Sequence, residues 1–319
     1  MKLVVIIPAL NEEATIGQVI QGIPRQQLEG IREVEVVVVD DGSTDGTAEV
    51  ARQAGAFVVR HPFNRGVGAA FSTGIRTALQ RGADLIVNID GDGQFNPADI
   101  PALLEPILCG RADMTTCTRF GRKELEPDMP WIKKWGNRVM CRIINTICWG
   151  ANFTDVSCGF RAYTREAALR LNLFGSFTYT QETFIDLVSK GMTIVEVPLK
   201  VRGVREHGES RVASNLWRYA LQSGSIILRA ARDVRPLAFF GLIGTGLAIL
   251  GAICGLIVFG VWLKTGATSP VKSLLIGSGT FLMLGFLLMV FALLADMLGR
   301  QRRVLEEILF MLKQDRLKS

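Results

Sequence analysis

The chain has 319 residues, of which 49% are hydrophobic and 33 are glycine, and it carries a net charge of +6. Only 21% of its residues are charged, below the roughly 25% of an ordinary soluble domain. The deficit is confined to Leu237–Leu298, where Lys264, Lys272 and Asp296 are the only charges in 62 positions; the other 257 residues carry 63 charges, about 25% again. These values fit a soluble domain joined to a membrane segment and exclude a purely soluble enzyme, a disordered chain and a polytopic transporter.

In chain order, Lys2 is followed by an apolar run that Pro8, Asn11, Glu12 and Glu13 cut short. The run is too brief for a secretory signal and reads as a strand, which keeps the soluble domain inside the cell. Leu3–Ile7, Val34–Val39, Phe57–Val59 and Leu85–Ile89 are short β-branched runs ended by polar or turn residues. Helical patterns at Glu13–Ile23, Asp45–Ala54 and Gly68–Arg81 separate them. Strands alternating with helices predict a parallel, doubly wound α/β sheet covered on both faces. Such sheets bind ligands beyond the carboxyl ends of their strands. There the sequence places Asn11 and Glu12, then Asp40 and Asp41, then Asp90 and Asp92.

Further on, Asp113–Thr118 reads as a strand, Arg119–Cys148 as a basic loop and helix, Asp155–Arg161 as a turn, Thr183–Ser189 as a helix and Thr193–Val201 as a strand. Val212–Asp233 interleaves Leu216, Trp217, Tyr219 and Ile226 with Arg218, Arg229 and Arg232, the pattern of an amphipathic helix lying at a membrane surface. Leu237–Leu263 and Ser273–Ala295 lack charge and are each long enough to cross an apolar bilayer core of about 30 Å. Arg229, Arg232 and Arg235 precede this hairpin and Arg300, Arg302 and Arg303 follow it, so both termini and the soluble domain are expected on the cytoplasmic side of a cell membrane. The Gly251-x-x-x-Gly255 pair, with Gly241, Gly244, Gly277 and Gly285, offers small surfaces for close helix contact. That contact is read as packing within the hairpin, with a homo-oligomer as the alternative. Val304, Leu305, Ile308, Leu309 and Leu312 recur at helical spacing in the tail. The expected divisions are a catalytic domain at 1–211, interfacial helices at 212–235, two membrane helices at 236–298 and a basic amphipathic cytoplasmic tail at 299–319.

Several chemistries drop out. Six cysteines without a C-x-x-C pair argue against a zinc ribbon or a disulfide scaffold, and two histidines make an imidazole-rich metal site improbable. The first strand-to-helix turn, Pro8-Ala9-Leu10-Asn11-Glu12, lacks the glycines of a dinucleotide fold, and no Walker loop occurs. What remains is Asp90-Gly91-Asp92-Gly93-Gln94 at a strand end. Two carboxylates one residue apart suit a hard cation, Mg2+ or Mn2+, whose other positions go to water and substrate phosphates. Asp40 and Asp41 are placed to accept hydrogen bonds from a nucleoside, or to shape the turn at Gly42-Ser43.

Together, Pro8-Ala9-Leu10-Asn11-Glu12-Glu13, Asp40-Asp41-Gly42-Ser43-Thr44-Asp45, Asn64-Arg65-Gly66-Val67-Gly68, Asp90-Gly91-Asp92-Gly93-Gln94 and Ser157-Cys158-Gly159-Phe160-Arg161 stand in the order found in family 2 glycosyltransferases. With the hairpin, the chain resembles the branch that makes polyprenyl-phosphate sugars, the dolichyl-phosphate mannose synthase-like enzymes. The resemblance implies a GT-A fold and a nucleotide-sugar donor, GDP-mannose or a UDP-hexose. It further implies a nucleotide-sugar pocket lined by Pro8, Ala9, Asn11, Glu12, Asp40, Asp41, Asp90, Gly91 and Asp92, with metal on Asp90, Asp92 and Gln94. Arg119 and Arg202 match arginines that the family keeps near the phosphates. Leu10 stands where some mannose-phosphate synthases have tyrosine, which leaves the base and sugar open.

A phosphate acceptor, dianionic near neutral pH, needs positioning cations more than a base. Lys133, Lys134, Arg138, Arg142, Arg161, Arg202, Arg205 and Arg211 supply them, Lys134, Arg138, Arg161, Arg202 and Arg211 being the expected acceptor-phosphate residues. Asp92, Arg119, Asp155 and Arg202 are the expected catalytic set, with Asp155 as base or as an orienter of Arg161. The expected partners are therefore the nucleotide-sugar, a dolichyl or undecaprenyl phosphate and the membrane, with no nucleic acid. A family 2 enzyme acting on a glycan or protein hydroxyl, or a non-catalytic nucleotide-binding scaffold, is the alternative.

Overall fold

In the computed structural model, residues 1–25, 28–127, 129, 131–148, 150–173, 179–202, 224, 232 and 236–317 are described. The chain forms two compact units, Met1–Ile227 with Phe310–Ser319, and Leu228–Leu309. The divisions expected at 211/212 and 235/236 fall on or beside residues outside the described ones.

The first unit is built on seven strands: β1 (Lys2–Ala9), β2 (Glu33–Asp40), β3 (Phe57–Arg60), β4 (Leu85–Asn88), β5 (Met114–Thr118), β6 (Arg161–Thr164) and β7 (Ile194–Pro198). Their order is β3-β2-β1-β4-β6-β5-β7. β1 runs parallel to β2 and β4, β2 to β3, and β5 to β7, while β6 is antiparallel to both of its neighbours. The mostly parallel GT-A-type sheet expected from the sequence is therefore present.

Its cause is visible in β1, where Leu3, Val4, Val5, Ile6 and Ile7 are all completely buried. Leu3, Val5 and Ile7 face a core completed by α1 (Ile16–Gln21), α2 (Thr47–Gln53) and α4 (Ile100–Leu108). Val4 and Ile6 face the other core, against α3 (Val67–Gln80) and α6 (Arg165–Arg170). Burial of these five side chains contributes roughly 10 kcal/mol before chain entropy is counted.

The turn predicted at Asp155–Arg161 ends in a strand instead. Arg161 opens β6, and an arginine at a strand start hides the apolar pattern that marks the other strands. The remaining helices of this unit are α5 (Trp131–Ile147) and α7 (Thr180–Ser189).

The second unit is a helical hairpin of α8 (Pro236–Thr265) and the first part of α9 (Lys272–Arg316). Both helices are long and apolar enough to cross a membrane. Their outward side chains are apolar too, with Leu242, Met283 and Phe286 among the most exposed, which is unlike the core helices of a soluble domain. Apart from Pro236, the buried positions, Gly244, Gly251 and Val258 on α8 and Ser278, Gly285 and Ala292 on α9, repeat every seven residues. A Cβ on Gly251 would lie 2.8 Å from the Leu282 nitrogen, and one on Gly285 would lie 2.7 Å from the Gly244 oxygen. Ser278 Oγ donates to the Gly251 oxygen at 2.8 Å. Gly244, Gly251 and Gly285 thus pack within the hairpin, whereas Gly241 and Gly277 face open space. α9 runs unbroken through the stretch expected as a tail to Arg316, and the chain from Phe310 is part of the first compact unit.

Candidate active site

The site lies at the carboxyl ends of β1, β2 and β4. Asn11 adopts φ of 54°, a left-handed conformation that asparagine tolerates better than most residues. There its N–H donates to Ser43 Oγ at 2.9 Å and its Oδ1 accepts from the Thr44 N–H at 2.9 Å. The Glu12 N–H reaches Thr47 Oγ1 at 2.8 Å and Glu13 Oε2 accepts from the Gly46 N–H at 3.0 Å. These hydrogen bonds, with one from the Glu13 N–H to Asp45 Oδ2 at 3.4 Å, join the loops after β1 and β2, and Pro8 and Ala9 end β1.

Asp40 is fully buried, accepts from the Ser43 N–H at 2.8 Å and lies 3.1 Å from Arg60 Nε. Asp41 accepts from the Arg65 N–H at 3.0 Å and the Gly66 N–H at 2.8 Å, and its Oδ1 is 2.6 Å from His61 Nδ1. His61 is itself buried, its Nε2 3.0 Å from Thr73 Oγ1. The turn-shaping role left open for this aspartate pair is seen directly. Gly42 is required by this closeness: at φ of 79°, any Cβ would lie 2.6 Å from the Phe63 carbonyl carbon.

After β4, Thr15 Oγ1 donates to the Gly91 oxygen at 2.7 Å, holding the middle of the Asp90-Gly91-Asp92 turn to the start of α1. The Gln94 N–H donates to Asp92 Oδ1 at 3.1 Å, and the Gln94 backbone carbonyl accepts from the Arg202 N–H at 3.1 Å. Asp92 is buried. A cavity of about 540 Å3 opens beside this turn, with Thr15, Gln94, Asp99, Lys200 and Arg202 in its lining. Burial there raises the Asp99 carboxyl above its ordinary range. Among the described residues no three His, Cys, Asp or Glu side chains gather into a metal site. Asp90, Asp92 and Gln94 are a hard-oxygen set suited to a cation that completes its shell with phosphate and water.

The fourth part of the site joins β5 to the turn before β6. Arg119 Nε donates to Asp155 Oδ2 at 2.6 Å and Nη2 donates to Asp155 Oδ1 at 2.9 Å and to Ser157 Oγ at 2.7 Å. Burial lowers the affinity of Arg119 for its proton, but the hydrogen bond and charge of Asp155 outweigh it and the guanidinium is held above its ordinary value. Asp155 is completely buried, so removing either partner strands a charge, a change worth about 3–5 kcal/mol. Asp155, expected as a base or as an orienter of Arg161, is paired with Arg119.

Arg161 corrects a second expectation. Its side chain is fully buried and donates to the carbonyl oxygens of Cys158 at 2.8 Å, Thr180 at 2.9 Å and Val156 at 3.4 Å. Its polar atoms serve the backbone, which removes it from the acceptor-phosphate set. Lys134 pairs with Glu126 at 3.1 Å, and Arg138, Arg142 and Arg202 are exposed. The Lys133 side chain, Arg205, Arg211 and the predicted interfacial segment 212–235, apart from 224 and 232, lie outside the described residues.

Sequence reasoning passed over Asn88, Asn137, His61 and Glu196. Asn88 is a buried amide in an otherwise apolar run, and its Nδ2 donates to the Gly159 oxygen at 2.7 Å and Tyr179 Oη at 2.8 Å. That isolated polar residue inside Leu85–Ile89 was the one available signal.

Strand-end carboxylates on a mostly parallel sheet, with a buried arginine–aspartate pair in the same unit, agree with the GT-A fold that the resemblance implies. Residues 4–171 match the family described as Glycosyl transferase family 2. The chain belongs to that family. It is 30% identical over 307 residues to an undecaprenyl-phosphate 4-deoxy-4-formamido-L-arabinose transferase of Pseudomonas aeruginosa, covering 93% of this chain and 84% of the relative. It is 29% identical over 232 residues to the undecaprenyl-phosphate mannosyltransferase of Micrococcus luteus, covering 68% and 89%. A glucosyl-3-phosphoglycerate synthase of Mycobacterium tuberculosis, solved with Mn2+, UDP-glucose and phosphoglyceric acid, superposes with a TM-score of 0.54 at 25% identity over 73% of this chain and 79% of that one.

Proposed function

We propose that the protein transfers a sugar from a nucleotide-sugar to the phosphate of a membrane polyprenyl phosphate at the cytoplasmic face of the membrane. The observation that carries this reading is α5. One face of the helix buries Asn137, Cys141 and Ile144, packing beside the Thr154–Ser157 turn. A separate face exposes Trp131, Trp135, Arg138 and Arg142, spaced so that they share one side of a helix. Indoles suit the headgroup region of a bilayer and guanidiniums suit phosphate. A lipid-facing stripe thus lies on the same helix that braces the loop holding Arg119. The names of the Pseudomonas and Micrococcus relatives support the same acceptor class. The apolar hairpin and the arginines at 300, 302 and 303 support a membrane anchor with cytoplasmic termini.

Pro8, Ala9, Asn11, Glu12, Asp40 and Asp41 would shape the nucleoside pocket, by contact or by holding its loops. Asp90, Asp92 and Gln94 would hold Mg2+ or Mn2+, the latter present with the Mycobacterium neighbour; when bound, the cation neutralises charge on the leaving diphosphate. Arg119 and Arg202 bring fixed positive charge to the phosphates without reorganising. Lys134 and Arg138, with Arg211, would orient the acceptor. The acceptor phosphate oxygen attacks the anomeric carbon, the bond from that carbon to the diphosphate oxygen breaks, and nucleoside diphosphate departs with inversion. No side chain need remove a proton, because a phosphate monoester is largely dianionic near pH 7. That agrees with an Asp155 engaged in holding Arg119.

The test is incubation of the detergent-purified chain with a panel of nucleotide-sugars, undecaprenyl or dolichyl phosphate and Mg2+ or Mn2+, followed by mass spectrometry of the lipids. A glycosylated lipid phosphate is expected. Glycosylation of a sugar or peptide hydroxyl with none of the lipid would overturn the acceptor assignment in favour of the hydroxyl-acceptor reading.

A further inference from the structure

Asp155 and Arg119 are held by one another, but the turn that carries Asp155 is held from elsewhere. Glu196 lies on β7, paired in register with Thr116 of β5, three residues before Arg119. Its Oε1 accepts from the Asp155 N–H at 2.8 Å and the Thr154 N–H at 2.9 Å. Its Oε2 accepts from the Thr154 N–H at 3.0 Å and Thr154 Oγ1 at 2.8 Å. One carboxylate therefore gathers two successive backbone N–H groups and the hydroxyl between them. From the other side, Asn137 Nδ2 of α5 donates to the Thr154 oxygen at 3.0 Å, and Asn137 Oδ1 accepts from Ser157 Oγ at 3.2 Å. Ser157 Oγ in turn lies 3.0 Å from Asp155 Oδ1 and accepts from Arg119 Nη2 at 2.7 Å.

We infer that Glu196 and Asn137 are a two-sided clamp whose task is to position the Asp155–Arg119 pair for the transfer step. Placing a carboxylate next to Asp155 is unfavourable, since burial and the charge of Asp155 both push the Glu196 carboxyl above its usual range. A residue needed only to fill space would not be a carboxylate here; the four hydrogen bonds it accepts are what an ionised group supplies. Because Arg119 is fixed through Asp155, small displacement of the Thr154–Ser157 turn moves the guanidinium relative to the diphosphate. Displacements on the order of 1 Å in such groups lower rates by about 100-fold.

The inference rests on the transfer reaction proposed above, and wild-type turnover in the same assay tests that reaction separately. In full-length protein, Glu196→Gln keeps the shape but halves the acceptor capacity facing Thr154 and Asp155. The expected result is a kcat lower by about tenfold or more with donor KM within about twofold of wild type. On an Arg119→Lys background, where the two-pronged pair is already lost, the same substitution should change kcat by less than about twofold. Asn137→Ala, approaching from the opposite side, should show the same KM-against-kcat split and the same loss of effect on that background, and it decides the matter if Glu196→Gln fails to fold. Unchanged kcat, a change confined to donor KM, or equal effects on the wild-type and Arg119→Lys backgrounds would overturn the inference while leaving the transfer reaction intact.

Discussion

Gly159 lies so close to Asp90 that a Cβ at this position would be 2.7 Å from Asp90 Oδ2 and 2.9 Å from Oδ1. Asn88, two residues before Asp90, fixes this approach by donating to the Gly159 oxygen at 2.7 Å. The glycine is demanded by a carboxylate, not by a turn. Gly159→Ala is therefore expected to push Asp90 out of place and weaken Mn2+ binding by about tenfold, the usual scale for disturbing groups behind a metal ligand. Electron paramagnetic titration of the full chain with Mn2+ measures this; an unchanged affinity would remove Asp90 from the metal set.

Asp92 offers a sharper test of the same assignment. Asp92→Asn keeps the side-chain shape and an oxygen for the Gln94 N–H, now 3.1 Å from Asp92 Oδ1, but removes the charge. Transfer should fall by at least about 100-fold while the protein still partitions into membranes. Turnover like that of wild type would show that the cation, if any, is held elsewhere.

These residues are legible in the sequence because they end strands whose β-branched runs are buried on both faces, as in β1 and β4. The residues that brace them are not. Asn137 meets its Thr154 partner 17 positions along the chain, and Glu196 meets Asp155 across 41, separations over which helical or strand periodicity carries no information. Arg161 misled for a related reason. An arginine in a motif next to proposed phosphate sites invites an ionic role, yet three backbone carbonyls satisfy it inside the core, and only tertiary structure supplies those acceptors.

His61 illustrates a buried group whose loss is felt through a neighbour. It lies between Asp41 and Thr73 at 2.6 and 3.0 Å, and Asp41 also orders the Arg65–Gly66 backbone at the start of α3. His61→Ala should lower stability by about 1–3 kcal/mol, the range for leaving a buried partner unsatisfied. The thermal midpoint in detergent reports that loss, and donor KM should rise with it if the loop after β3 shapes the nucleotide pocket. A stable variant with normal donor KM would reduce His61 to filler.

The end of α9 makes a further commitment. Lys313 Nζ donates to the Leu169 oxygen at 3.0 Å, the Leu171 oxygen at 3.2 Å and Asn172 Oδ1 at 2.8 Å, gathering carbonyls left open at the end of α6. The Arg170 guanidinium lies 4.1 Å from the centre of the Phe310 ring. Lys313→Ala should lower the thermal midpoint by the equivalent of about 1–3 kcal/mol and speed proteolytic cleavage beyond residue 309. Equal cleavage rates in variant and wild type would mean that the docked end adds nothing to the catalytic unit.

The exposed stripe of α5 yields the test closest to the proposed acceptor. Trp131 and Trp135 are 75% and 59% exposed, and nothing in a soluble enzyme favours two indoles in water on one helix face. If they sit among lipid headgroups, their loss should affect only acceptors presented by a bilayer. The double variant Trp131→Ala with Trp135→Ala is expected to raise the apparent KM for polyprenyl phosphate in anionic vesicles by at least about fivefold, a small part of the free energy of burying two indoles. With a short-chain acceptor in solution its kcat and KM should match wild type, because neither indole belongs to the Asn137 face that holds the Thr154–Ser157 turn. Equal KM values in vesicles for the variant and wild type would detach this helix from the membrane.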